Sequence, residues 1–321
     1  MERYYSINNL KDTSKSKGKF GLKNSFCLPL MSFFSCFYDS CDILTLIERF
    51  SEAKSTEILS ELGLSDEELE IITKRCLLDN IKNGVSEIGL LALNPRVVLK
   101  ACLDFEINAT IYVRIKDVDN IATLLEEFKG QKIKLGLFVD PYVDGDDLTN
   151  KASELSGKYN LPVVCVLFDD IKKTGMLNSL FDTLPVNYIE DVGLLDRDCS
   201  ILGGIYADKD DFSLIASYGA KIIVSPHDSL NLGKGIANLQ SMQNSGVEVN
   251  LASLMNSDIV SEISLASMLC RSLLSDPEIL PVSEVLEIAI SKYPRLDFKN
   301  EIVLEVEEKC EKIYEKIKEK I

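Results

Sequence analysis

Eight short runs rich in β-branched and apolar residues recur along the chain, separated by longer stretches of helical period. They are Lys19–Lys23, Val85–Leu91, Ala109–Ile115, Ile133–Val139, Pro162–Phe168, Ser200–Tyr206, Lys221–Ser225 and Val247–Leu251. This alternation constrains the fold more than any other feature, because it implies parallel strands joined by right-handed helical crossovers. The run Pro162–Phe168 is almost continuously apolar, as expected of a strand covered on both faces. Eight such units closed on themselves make a (β/α)8 barrel. An open doubly wound sheet is the alternative. It would place a glycine-rich turn after the first strand, and the residues after Lys23 are not glycine-rich.

Local signals agree with this frame. Ser65 and Glu68 form a capping box that opens a helix over about Asp66–Lys82, with Leu69, Ile72, Cys76 and Leu77 on one face and Gly84 beyond its end. Asp208 is placed to cap a helix carrying Phe212, Ile215 and Ala216, which Gly219 ends. From about Asn300 to Ile321, apolar residues at Val303, Val306, Cys310, Ile313, Ile317 and Ile321 form one stripe on a Lys/Glu-rich helix. This reads first as a helix packed on the barrel, and second as an oligomer seam. The domain reading is a poorly ordered tail over 1–18, a barrel over 19–295 and an amphipathic C-terminal helix over 296–321.

Composition narrows the function. The 321 residues are 46% hydrophobic and carry a net charge of −16. An acidic chain repels phosphate backbones, so nucleic acid is not an expected partner. The apolar segment Phe26–Tyr38 is too short to span a bilayer, so no membrane role is expected. Nine cysteines, with no CxxC pair, and no leader read as a reduced cytoplasmic protein. There is a single histidine, His227, and no tryptophan.

Several stretches, in order, resemble the amidohydrolase superfamily, in particular its nucleoside and S-adenosylhomocysteine deaminase and chlorohydrolase branch. Val224-Ser-Pro-His-Asp-Ser-Leu-Asn-Leu-Gly-Lys-Gly-Ile-Ala237 resembles the turn after the family's seventh strand. Ser245-Gly-Val-Glu-Val-Asn-Leu251 is similar to the eighth strand, and Gly136-Leu-Phe-Val-Asp-Pro-Tyr142 to the fourth strand and its turn. Gly21-Leu-Lys-Asn-Ser-Phe-Cys-Leu-Pro-Leu-Met31 resembles the first strand, and Leu161-Pro-Val-Val-Cys-Val-Leu-Phe-Asp169 the fifth. The resemblance covers about residues 19–290. It implies a barrel of the metal-dependent hydrolase type, here expected without the family's accessory β-sandwich.

The resemblance also implies where functional residues fall. The two first-strand histidines of the family fall on Phe26 and Leu28, and the fifth-strand histidine on Val166. The sixth-strand histidine falls on Gly203 or Gly204, and the eighth-strand aspartate on Leu254, beside Ser253 and Met255. The fourth-strand substrate histidine falls near Val139. The fifth-strand glutamate keeps a carboxylate as Asp169, and Tyr142 and the turn Gly233–Ala237 persist.

A catalytic divalent metal needs about three or more N, O or S ligands converging on one point. Phe, Leu, Val and Gly offer none from their side chains. Cys27 and Cys165 alternate with these positions and are expected to point toward the helices. No metal and no cofactor are therefore expected, and Phe26 and Leu28, with Phe33, Phe34 or Phe37, are expected to plug the barrel mouth. The leading expectation is a non-catalytic, amidohydrolase-like barrel that binds a protein partner, regulates one, or forms a homo-oligomer. The alternatives are a metal-independent hydrolase or deaminase using Asp169, Asp140 and His227, and a sensor of a nucleoside-like small molecule. Pocket candidates are Tyr142, Asp169, Gly233 and Gly235.

Overall fold

The structure is a computed structural model that describes residues 20–35, 40–175, 184–296 and 300–318. The expected tail over 1–18 lies outside the described residues, as do Phe37 and Ile321. Eight parallel strands follow one another in a curled sheet: β1 Phe20–Cys27, β2 Val85–Ala92, β3 Asn108–Arg114, β4 Lys134–Val139, β5 Val163–Leu167, β6 Cys199–Gly203, β7 Lys221–Val224 and β8 Glu248–Leu251. Each corresponds to one of the eight sequence runs, with boundaries moved by a few residues.

A ninth strand, β9 (Ile290–Pro294), pairs antiparallel with β1 through Gly21↔Ser291 and Leu22↔Ile290. Sequence periodicity did not reveal it. It is short, carries Lys292, and ends in Pro294, so it has no alternation to detect. It covers the first half of the β1 edge. The far half of that edge meets the chain around β8 instead. Lys23 Nζ donates to Asn250 Oδ1 (3.0 Å), Asn24 Nδ2 to the Ser253 carbonyl (3.1 Å), and the Leu28 amide to the Leu254 carbonyl (2.9 Å). The sheet thus curls until its last parallel strand returns to its first. That seam is made by side chains and single backbone bonds, not by a continuous ladder.

Helices pack on the outside as the crossovers require. The helix Asp66–Lys82 begins with the expected capping box, Ser65 Oγ accepting from the Glu68 amide (3.3 Å) and Glu68 Oε2 from the Ser65 amide (2.9 Å). Its apolar face, with Ile72, Cys76 and Leu77, is buried. The C-terminal helix Asn300–Ile317 packs on this helix and buries Val306, Cys310, Ile313 and Ile317. Each such burial contributes about 1.5–3 kcal/mol. The stripe is therefore occupied by its own chain.

Phe33 and Phe34 are buried in the same satellite cluster, with Leu46, Phe50 and Ile58. The expectation that they plug the mouth is corrected. The helix Pro29–Phe34 turns the chain away from the sheet axis, and both rings pack against helices. Among the described residues, no helix is long and apolar enough to cross a membrane.

Candidate active site

The interior of the curled sheet is divided by an apolar layer of Phe26, Tyr112, Val164, Ile223 and Ala252. Phe26 stacks on Phe138 (centroids 5.6 Å, 12° between planes) and meets Tyr112 edge-on (5.5 Å, 61°). Above this floor, at the C-terminal ends of the strands, lies a cavity of about 210 Å³. Phe26, Leu28, Phe138, Val166, Leu202 and Leu254 line it, together with Asp140, Asp144, Asp169, Lys116, Lys173 and Lys234. Phe26 is the floor of this cavity. The expectation that Phe26 plugs the mouth is corrected, because its ring lies flat against Phe138 and leaves the cavity above it; Phe37 lies outside the described residues.

Local chemistry delivers the carboxylates. Asp140 follows β4 and caps the helix Pro141–Tyr159, its Oδ1 accepting from the Tyr142 amide (3.1 Å). Asp144, one turn on, accepts from the Asp140 amide through Oδ2 (2.8 Å). Asp169 is aimed by a strained corner. Phe168 sits at φ 56, a conformation unusual for a bulky residue, and its amide donates to the Tyr142 hydroxyl (3.2 Å). Gly203 makes room for that corner, since a Cβ there would lie 2.3 Å from the Leu167 carbonyl oxygen. Tyr142 thus supports the Asp169 corner and does not line the cavity.

Each carboxylate faces a lysine. Lys234 Nζ lies 2.5 Å from Asp169 Oδ2, Lys173 Nζ 3.6 Å from Asp140 Oδ2, and Lys116 Nζ 3.1 Å from Asp144 Oδ1. Burial pushes the Asp140 carboxyl up to about 6; Lys173 pulls it back, while Asp169 and Asp144 add to the rise. Burial works against the Lys173 ammonium, but Asp140 and Asp169 outweigh it and hold the group above the usual lysine range. Asp169 Oδ1 is buried with no hydrogen-bond partner.

The sequence candidates divide. Asp140 and Asp169 meet in one cavity, and His227 does not join them. His227 lies on the short helix Pro226–Asn231, with Nδ1 3.0 Å from Asn231 Nδ2 and its amide donating to Glu262 Oε2 (2.9 Å). Gly233 lies outside the cavity and Gly235 packs against Ile205 and Tyr206, so the turn shapes backbone and leaves Lys234 as its contribution to the site. Sequence reasoning missed Lys116, Asp144 and Lys173. Lys173 and Asp140 lie on different crossovers, and no local pattern links them.

The carried-over positions also sort. Val166 and Leu254 line the cavity, whereas Val139 is buried in the outer core and Phe138 faces inward in its place. Leu202 lines the mouth, not Gly203. Cys27 and Cys165 are buried in the outer core as alternation requires. Among the described residues, no group of three or more His, Cys, Asp or Glu side chains could hold a metal ion.

No family model matches the chain. A 5-methylthioadenosine/S-adenosylhomocysteine deaminase of Caldicellulosiruptor saccharolyticus is 29% identical over 180 residues, which is 54% of this chain and 42% of that protein. One from Pyrococcus abyssi is 24% identical over 218 residues, 66% of this chain and 50% of that protein. The chain is similar to these deaminases over those spans, in line with the resemblance to the amidohydrolase superfamily.

The matches span half or less of the length of these curated amidohydrolase relatives. Solved structures share the fold across most of the chain. A zinc-bound adenosine deaminase from Xanthomonas campestris superposes with a TM-score of 0.76 at 12% identity, covering 92% of this chain and 86% of that one. A guanine deaminase from C. acetobutylicum with bound guanine gives 0.73 at 18% identity, covering 92% and 82%. These relatives are named as deaminases and hydrolases. That finding overturns the expectation of a non-catalytic barrel.

Proposed function

We propose that this chain is a deaminase-type hydrolase acting on a C–N bond of a small, largely apolar ligand, at the mouth of a (β/α)8 barrel. Asp140 is its proton-transfer group. The observation that carries this reading is the convergence of Asp140 and Asp169 in one cavity over an aromatic floor. A carboxyl pushed up to about 6 is poised to exchange protons near neutral pH. Asp140 would take a proton as water adds to the ligand carbon and return it to the departing nitrogen. Lys173, beside it, would steady the charge. Asp169 Oδ1, buried and unpartnered, is available to accept an N–H of the ligand. Phe138, half-buried and stacked on the buried Phe26 ring, offers a flat face to a ring.

The reaction is proposed to run without the metal its relatives' fold implies. The strand-end side chains Phe26, Leu28, Val166, Leu202 and Leu254 have no lone pairs to give, and the three carboxylates already face lysines. The donor set does not fit a divalent ion, so no step is routed through one. The test is ammonia release from 5-methylthioadenosine, adenosine and guanine by the purified chain, with and without a chelator. Turnover that resists the chelator and is lost in Asp140→Asn supports the reading. Turnover that needs added zinc, or that survives the substitution, overturns it.

A further inference from the structure

At the opposite, N-terminal end of the strands lies a second cavity, of about 140 Å³. The apolar layer separates it from the mouth, with Tyr112 and Ile223 forming its roof. Its wall is polar and carries charge of both signs: Lys23, Arg197 and Lys221 line it with Glu87 and Asp198, beside Ser25 and Asn250. A space of this size exceeds the roughly 30 Å³ share of one water several times over.

Two side chains in this wall have unused donors. Ser25 is buried, 8% exposed, and its Oγ has no hydrogen-bond partner. It faces inward with Lys23 by alternation, and the register shift between Asn24 and Cys27 brings Phe26 to the same side. Gly89 on β2 accommodates the shift, since a Cβ there would meet the Ser25 carbonyl oxygen at 2.2 Å. Lys23 spends one of its three N–H donors on Asn250 Oδ1 (3.0 Å). Glu87 and Glu248 favour the Lys23 ammonium and Lys221 and Lys292 oppose it, so burial decides, and its affinity for a proton lies below that of an ordinary lysine.

The other charges are already engaged. Lys221 pairs with Glu248 (3.1 Å) and Arg197 with Asp198 (3.8 Å). Glu87, opposite Lys23 across β1 and β2, accepts from Ser291 Oγ (3.1 Å) and favours the Lys23 charge without forming an ion pair with it. A half-buried ammonium without a dedicated counter-ion, next to a buried unpartnered hydroxyl, is a donor pair waiting for acceptor oxygens.

We infer that the cavity at the N-terminal end of the strands is a binding site for a small oxyanion, a phosphate or a carboxylate, held by Lys23 Nζ and Ser25 Oγ. The site is separate from the mouth and takes a ligand of opposite character: compact, charged and rich in acceptors. An anion there would complete the hydrogen bonds of the bulged strand and tie β1 to β8 through Lys23 and Asn250.

Titration of the full chain with inorganic phosphate, and separately with acetate, followed by calorimetry and by thermal melting at constant ionic strength, tests the assignment. Saturable binding with a rise in the melting midpoint is expected at millimolar concentrations. Saturation by phosphate alone identifies a phosphate site, and by acetate alone a carboxylate site. Hydrogen bonds to charged groups are strong enough that Lys23→Met should weaken binding by about tenfold or more, and Ser25→Ala severalfold. If Lys23→Met does not fold, Ser25→Ala is read together with lysine side-chain NMR of the unaltered chain. There the Lys23 ammonium should hold its proton to higher pH when phosphate is present. No binding of either ion up to about 10 mM, the range in which a millimolar site fills, overturns the inference. So does binding that neither substitution weakens, or a Lys23 signal that phosphate leaves unmoved.

Discussion

The two ends of the curled sheet share a partition and little else. At the mouth, three carboxylates meet three lysines over a floor of stacked rings, and one carboxyl is held near neutral pH. At the base, hydroxyls and an amide share the wall with charges of both signs, and Lys23 is the lining cation that makes no ion pair. The mouth is built on strand ends and helix caps, which tolerate diverse residues because the strands beneath hold their positions. The base is built on strand residues themselves, so its donors are fixed by register. The contrast teaches that one barrel-like frame can keep two polar cavities of different make-up apart, provided an apolar layer divides them.

Breaking the partition should have the largest effect. Phe26→Ala removes a fully buried ring shared by both sides and should cost about 3–5 kcal/mol, read as a lower urea midpoint. A loss below about 1 kcal/mol would mean that the layer does not divide the interior as described.

The next effect concerns the mouth alone. Asp140→Asn should lower turnover by about 100-fold or more while leaving the melting midpoint near that of the parent chain. On the proposed role of Asp140 as the base, activity should rise as pH climbs through about 6. A pH profile flat across that window would show that another group moves the proton.

A third test concerns the wall behind the mouth, where burial and the adjacent Asp228 push the Glu262 carboxyl up to about 9. Its folded value lies above the ordinary 4.5, so the native state binds the extra proton and stability falls as pH rises from about 4.5 to 9. Glu262→Gln should remove up to about 1 kcal/mol of that loss per pH unit, making the variant relatively more stable at pH 8 than at pH 5. Parallel stability curves for the two proteins would count against a protonated Glu262. The smallest effect is expected at the rim of the base. Lys221→Met breaks a partly exposed pair with Glu248 and should change stability by less than about 1 kcal/mol in chemical denaturation.

Much of the frame was legible because its causes are local. Ser65 and Glu68 mark a helix start, Asp208 another, and the apolar runs mark eight parallel strands. Alternation along β1 and β5 was enough to send Cys27 and Cys165 outward. Asp140 and Asp169 could be singled out because they end strands. Nothing local announced Lys173 opposite Asp140, or Lys234 against Asp169 across 65 residues. Nor could the sequence tell a plug from a floor. Phe26, Phe33 and Phe34 are alike as residues, and only packing put one under the cavity and two beneath helices.

By itself, then, the sequence determined the order of the eight parallel strands, the outward turn of Cys27 and Cys165, and the resemblance to the amidohydrolases. It also determined that apolar residues occupy the strand ends. These follow from short-range sterics, capping and alternation, which act within a few residues. The tertiary structure alone decided that a cavity lies above Phe26, that three carboxylates share it while His227 stands apart, and that a polar cavity lies below. Those outcomes depend on where distant side chains meet when the sheet curls, and on how burial there reshapes their charges.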